Sequence, residues 1–237
     1  MSERNPYLIE VVASTVYSCM QAQLGGAGRI ELCSALGAAG ITPSSGLLEV
    51  VKRHVSIPIY VMIRPREGDF TYDIHEVEVM KREIDLLGAS GADGFVFGAL
   101  QSNGKVDVHL TRELVAHCGG TPVTFHRAVD CTPNLLEAVE EIASCGCERI
   151  LTSGGRSSAP EGRDVIIAMH ESARGRIRIM PGGGIKPDKF EDIYIPEINE
   201  YHLSGRVMHV SALPSSLFDM NRAETSADSI HEVVYRS

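Results

Sequence analysis

Pro122-Val123-Thr124-Phe125-His126-Arg127-Ala128-Val129-Asp130 (PVTFHRAVD) is the stretch from which the fold can be read. Val123, Thr124 and Phe125 favour a strand, Pro122 opens the run, and a base, a cation and a carboxylate follow at once in His126, Arg127 and Asp130. Strands buried on both faces are mostly apolar. Polar residues where such a strand stops therefore mark a site candidate, in which Asp130 can orient His126. One strand alone does not separate this from a satisfied histidine beside a surface ion pair. The same pattern elsewhere in the chain does.

Upstream lie four further apolar runs: Tyr7–Val12 (YLIEVV), Arg29–Cys33 (RIELC), Pro58–Arg64 (PIYVMIR) and Gly94–Gly98 (GFVFG). Downstream lie Arg149–Thr152 (RILT), Ile177–Met180 (IRIM) and the weakest, Tyr201–Leu203. Helical segments separate them. One is capped by Ser14 and runs to about Leu24; others cover Ser45–His54, Ile74–Leu87, Val108–His117, Pro133–Ser144 and Asp164–Ala173, and a short one starts near Pro187. In Ile74–Leu87 the apolar residues Val77, Met80, Ile84 and Leu87 recur at three- and four-residue spacing. Eight strands alternating with helices predict an α/β fold, a (β/α)8 TIM-type barrel in one domain spanning residues 1–237. No Gly-x-Gly-x-x-Gly follows the first strand, which speaks against a dinucleotide-binding fold. Residues 207–237 form an atypical C-terminal segment whose one helix signal is Ile230–Tyr235, so the eighth unit is the least defined.

The formal charge is 22 − 31 = −9, tryptophan is absent and aromatics make up 5%. With no basic block and few stacking side chains, a nucleic-acid partner is not expected. No apolar run reaches transmembrane length and no leader pattern is present, so the expectation is a soluble protein that is not secreted. The six cysteines, Cys19, Cys33, Cys118, Cys131, Cys145 and Cys147, read as free thiols.

A barrel carries its active site at the C-terminal ends of its strands. Those ends offer Glu10, Glu31 with Cys33, Arg64 with Arg66, His126 with Arg127 and Asp130, Thr152-Ser153-Gly154, Gly182-Gly183-Gly184, and His202 with Ser204. Glu10, Glu31, Arg64, His126, Asp130 and His202 are the catalytic candidates, with Glu31 and His126 as acid/base groups. An internal ion-pair network is the plainer account of the same residues. The glycine run after strand seven can present amides to an anion. Arg66, Ser153, Gly154, Gly182, Gly183 and Gly184 are thus candidates for binding one, and Arg64 or Arg206 can add charge. The substrate expected on these grounds is a small phosphorylated or carboxylated compound.

No lysine stands at a strand end, which argues against Schiff-base chemistry. Cys145-Gly146-Cys147 falls on the stability face, and no Cys-x-x-Cys or His-Glu-x-x-His occurs, so a zinc site is unsupported. Cys33 beside Glu31 is the thiol best placed for chemistry.

Several stretches taken together resemble the CutC family of copper homeostasis proteins. They are Arg29–Cys33 with Ser34, Thr42-Pro43-Ser44, Val61–Arg66 with Gly68-Asp69-Phe70, Ala92-Asp93-Gly94, Val96–Leu100, Pro122–Asp130, Arg149–Gly154 and Met180–Ile185. The resemblance runs from about Leu8 to Arg206, and the tail beyond departs from it. It implies a barrel, a cytoplasmic protein that binds Cu(I), and a homodimer or higher homo-oligomer. It further implies Cys33 as a copper ligand, with Val12 at the position of the family's partner cysteine and His126 or His202 able to complete the site.

Overall fold

The structure is a computed structural model and describes residues 7–210 and 221–235. Eight parallel strands, β1 (Leu8–Ala13), β2 (Arg29–Leu32), β3 (Ile59–Met62), β4 (Gly94–Phe97), β5 (Val123–Phe125), β6 (Arg149–Thr152), β7 (Arg178–Pro181) and β8 (Glu200–Leu203), form one sheet in the order β7-β6-β5-β4-β3-β2-β1-β8. A parallel bridge between Gly182 and His202 joins β7 to β8 and closes the barrel. The first six connections are helical: α1 (Val16–Leu24), α2 (Ser45–His54), α3 (Ile74–Ala89), α4 (Val108–His117), α5 (Leu135–Ser144) and α6 (Arg163–Ala173). This is the predicted (β/α)8 fold. Among the described residues no helix is long and apolar enough to cross a membrane.

Local chemistry sets the helix starts. Thr15, not Ser14, caps α1: its backbone is extended and its hydroxyl accepts from Ser18 N–H at 3.0 Å. Asn134 caps α5, so that helix begins two residues after Pro133. Asp73 and Glu76 make a reciprocal capping box on α3. After β7 the chain makes a 3₁₀ segment, Pro187–Asp192, in place of a full helix. After β8 it makes an antiparallel pair, β9 (Arg206–His209) with β10 (Arg222–Thr225), and then α7 (Ala227–Val234). Residues 211–220 and 236–237 of the atypical tail lie outside the described residues. The helix signal at Ile230–Tyr235 is the second half of α7, which packs on α1, β1 and the 3₁₀ segment.

Side chains alternate across a strand, and here the two faces differ in kind. Outward residues such as Ile9, Val11, Ile30, Leu32, Ile59, Val61, Phe95, Phe97, Val123 and Phe125 make the apolar core beneath the helices. Inward residues are largely polar. Arg29 donates to Glu10 and Glu200, and Arg149 to Glu200 and Thr124. Both guanidiniums lie 5.0 Å from the Tyr60 ring centre. Charges without water need partners of this kind. Above them sits a small apolar group, Cys33, Tyr60, Met62 and Val96.

Candidate functional site

A cavity of about 480 Å³ opens at the C-terminal end of the strands. Arg64, just past β3, is on its wall and is 3% exposed. Its guanidinium donates to three backbone carbonyls, Ala38 at 2.9 Å, Gly40 at 3.0 Å and Gly68 at 2.6 Å, and lies 5.0 Å from the Phe70 ring centre. Nε has no partner, and no carboxylate pairs with Arg64 among the described residues. Arg64 thereby ties down a loop in which Ala35 and Ala39 adopt left-handed backbone, with φ of 48° and 63°. Such conformations cost about 1–2 kcal/mol each for non-glycine residues. Ala39 and its neighbour Leu36 line the cavity.

His126 ends β5 and also lines the cavity. The Ala128 N–H donates to Nδ1 at 3.2 Å, which makes Nδ1 the bare nitrogen and puts the proton on Nε2. Burial, and after it the charge of Arg64, hold the imidazole down at about 3, so it is neutral at physiological pH. Asp130 does not orient this ring. It accepts from Arg127 Nε (2.9 Å), Thr152 Oγ1 (2.5 Å), Ser153 N–H and Oγ–H (3.0 and 2.9 Å) and Gly155 N–H (3.1 Å). Its work is to fasten the 3₁₀ turn Arg127–Cys131 to the end of β6. Arg127 is then held over Gly183, where an added Cβ would come within 2.8 Å of its Nη1.

The cavity floor holds Glu31 and His202. His202 Nδ1 bonds Glu10 Oε1 at 2.7 Å, and Nε2 stands 3.7 Å from Glu31 Oε2. Glu10 is therefore beneath the site, not in it. Burial would raise the Glu10 carboxyl, but Arg29 and His202 outweigh it and hold Glu10 well below its usual range. For Glu31 the order is reversed: burial outweighs the pull of His202 and of Arg29 and pushes it up to about 7. Burial would lower His202, but Glu31 and Glu10 raise it above the usual histidine value.

The other expected residues divide. Gly183 and Gly184 line the cavity, and among the described residues no backbone acceptor takes up their N–H groups. Gly182 spends its N–H on the Thr152 carbonyl and has no room for a Cβ, which would meet Leu151 at 2.4 Å, so its role is barrel closure. The amides of Ser153 and Gly154 are taken by Asp130 and by Thr152 Oγ1. Arg66 turns away and pairs with Glu76 and Asp69. Cys33 is 1% exposed, and burial, with the Glu31 carboxylate beside it, pushes its thiol well above the usual range. Among the described residues no three His, Cys, Asp or Glu side chains are grouped to hold a metal ion. Cys145 and Cys147 are buried away from the mouth. Arg127, read with His126 at the end of the fifth strand, reaches the cavity rim as an exposed cation; Lys186, a second exposed cation there, was not among the predicted site residues, and its signal was its place two residues after the glycine run.

A family model described as the CutC family matches residues 7–207. The chain belongs to the CutC family. A copper homeostasis protein cutC homolog from Mus musculus is 50% identical over 203 residues, 85% of this chain and 75% of the relative. The human counterpart is 49% identical over 203 residues, 85% and 74%. A family protein CutC from Xanthomonas axonopodis pv. citri (strain 306) is 45% identical over 208 residues, 87% of each chain. The crystal structure of a CutC protein from Streptococcus agalactiae superposes with a TM-score of 0.78 at 30% identity, covering 83% of this chain and 97% of that one. A phosphonopyruvate hydrolase, at 14% identity and TM-score 0.59, covers 84% of this chain and 75% of its own and shares the fold alone. The CutC match stops at residue 207, where the atypical tail begins.

Proposed function

We propose that the barrel mouth of this CutC family member binds a small anionic compound, a phosphate ester or a carboxylate, and that it serves copper homeostasis, the role in its relatives' names, through that compound. The observation that carries the reading is Arg64: a buried cation on the cavity wall with no carboxylate partner among the described residues. A buried charge satisfied only by neutral carbonyls is costly, and an anion in the cavity would offset that cost. Arg127, Lys186 and Arg206 add positive charge around it, and among the described residues no backbone carbonyl accepts from the N–H groups of Gly183 and Gly184. Titration calorimetry with glycerol 3-phosphate and inorganic phosphate tests this. Saturable one-to-one binding is expected, weakened about tenfold or more in Arg127→Ser, which removes a charge-assisted contact without touching the buried core. No binding of either compound at millimolar concentration would sink the reading.

Direct Cu(I) binding in the cytoplasm is the second reading, and one local arrangement favours it. A Cβ placed on Gly40 would lie 3.3 Å from Cys33 Sγ and 3.6 Å from Met62 Cε, so a thiol and a thioether are close neighbours. Soft ligands of this kind suit Cu(I). Against it stands the raised thiol, since the thiolate is the ligand form. A Cu(I) titration against a competing chelator, in reduced protein and in Cys33→Ser, separates the two readings: tight binding lost in the variant would move copper to first place.

A further inference from the structure

Buried polar atoms in folded proteins nearly always have a hydrogen-bond partner. Among the described residues five buried side-chain atoms have none: Glu31 Oε1, Arg64 Nε, Tyr72 Oη, Thr111 Oγ1 and His126 Nε2. Three of the five, on Glu31, Arg64 and His126, belong to residues that line the one cavity at the barrel mouth. These three residues wall one space, and the chemistry of their unmet atoms describes a ligand that would meet them.

Their chemistry differs. The Arg64 guanidinium is charged and draws the anionic group. His126 offers a single neutral N–H, fixed on Nε2 by the bond from Ala128 N–H to Nδ1. Against its ring pack Phe70 at 4.9 Å and Phe125 at 6.2 Å between ring centres, with Gly98 against the Nδ1 edge. These three accept no hydrogen bond, so against them a hydroxyl would satisfy His126 and find no acceptor for its own proton. A carbonyl oxygen accepts only, and leaves nothing over. Glu31 Oε1, also without a partner, suits a hydroxyl, which can donate to the carboxylate or accept from the carboxylic acid.

We infer that the compound bound at this mouth is a small hydroxy-carbonyl bearing a phosphate or carboxylate, with its carbonyl oxygen on His126 Nε2–H and its hydroxyl on Glu31. The inference rests on the anion reading above and names the compound's class. A cavity of about 480 Å³ is in the range of small-molecule sites and holds a compound of this size.

The test compares dihydroxyacetone phosphate with glycerol 3-phosphate, which differs in having the carbonyl reduced to a hydroxyl, and with inorganic phosphate. Calorimetry on the full chain is expected to give about a tenfold preference for the carbonyl compound, the range for a site built around one polar group. In His126→Leu that preference falls to within about twofold while inorganic phosphate binds as before. His126→Gln, which keeps a side-chain N–H, recovers part of it. A ratio near one in the unsubstituted protein, or a ratio unchanged in His126→Leu, overturns the inference and leaves the anion reading standing. Failure of all three compounds to bind removes both. Should His126→Leu not fold by circular dichroism, the ratio in the unsubstituted protein against His126→Gln decides.

Discussion

Glu31 and His202 share the cavity floor, and each binds its proton more tightly in the folded chain than outside it. The consequence for stability has one sign. Glu31 titrates at about 7 in the fold against 4.5 ordinarily. Its contribution is full below 4.5 and is lost as the pH climbs through about 7. His202, raised above 6.5, adds in the same direction, with its contribution lost above its folded value. Glu10 has the opposite sign, but its carboxyl is held so low that it stays charged through this window. His126, held at about 3 against 6.5 ordinarily, works the other way in the same window, so the effect is read from the difference between thermal melts of the unsubstituted protein and Glu31→Gln from about pH 5 to pH 8. Glu31→Gln, which cannot ionise, should lose less, with a gap growing by on the order of 2 kcal/mol, or about 4–8 °C. Parallel decline of the two proteins would show that Glu31 carries no such burden. The positions of Glu31, Arg64, His126 and His202 were legible in sequence because each ends an apolar strand. Their partners were not: no spacing reveals that Ala128 N–H fixes the His126 tautomer, or that Arg64 lacks a carboxylate.

Elements bring these residues together through their ends. The 3₁₀ turn Arg127–Cys131 is attached to β6 by Asp130, which accepts from three amino acids of the Thr152–Gly155 stretch and from Arg127. Asp130→Ala should therefore act at two levels. It strands several donors, at a cost of about 2–4 kcal/mol in a urea unfolding experiment. It also frees Arg127 from its place over Gly183, so the affinity for inorganic phosphate should fall with it. Loss of stability at unchanged phosphate affinity would separate the turn from the site. The sequence PVTFHRAVD suggested a His126–Asp130 pair by proximity along the chain. The turn instead carries Asp130 towards β6, a long-range choice invisible to local pattern. The glycine run shows the same limit: Gly182, Gly183 and Gly184 look alike in sequence, yet the sheet ladder claims the first amide and leaves the other two.

At the scale of the molecule, the eightfold alternation was legible because outward residues on each strand are apolar and regularly spaced. The last unit was not, because its parts are short and its connection from β8 is a strand pair where the first six units have an α-helix. The structure still fills the place of an eighth helix. α7 buries Ile230, Val233 and Val234 against α1, β1 and the 3₁₀ segment, and Tyr7 Oη–H donates to the Val233 carbonyl at 2.9 Å. Two glycines make way for it: a Cβ on Gly25 would stand 2.6 Å from Ile230 Cβ, and one on Gly205 would stand 2.4 Å from Ile230 Cδ1. Ile230 is thus a peg between the C-terminal end of α1 and the exit from β8. If α7 is part of the barrel's cooperative unit, Ile230→Ala removes a fully buried side chain and leaves a cavity, at about 2–4 kcal/mol in global unfolding by urea with an unchanged m-value. If α7 is only laid against a barrel complete without it, the same change costs less than about 0.5 kcal/mol globally and appears as early proteolysis of the tail alone. The close fit of Ile230 against both glycines argues for the first outcome. His202, one residue before the end of β8, is itself on the cavity floor, so a loosened α7 should also weaken phosphate binding.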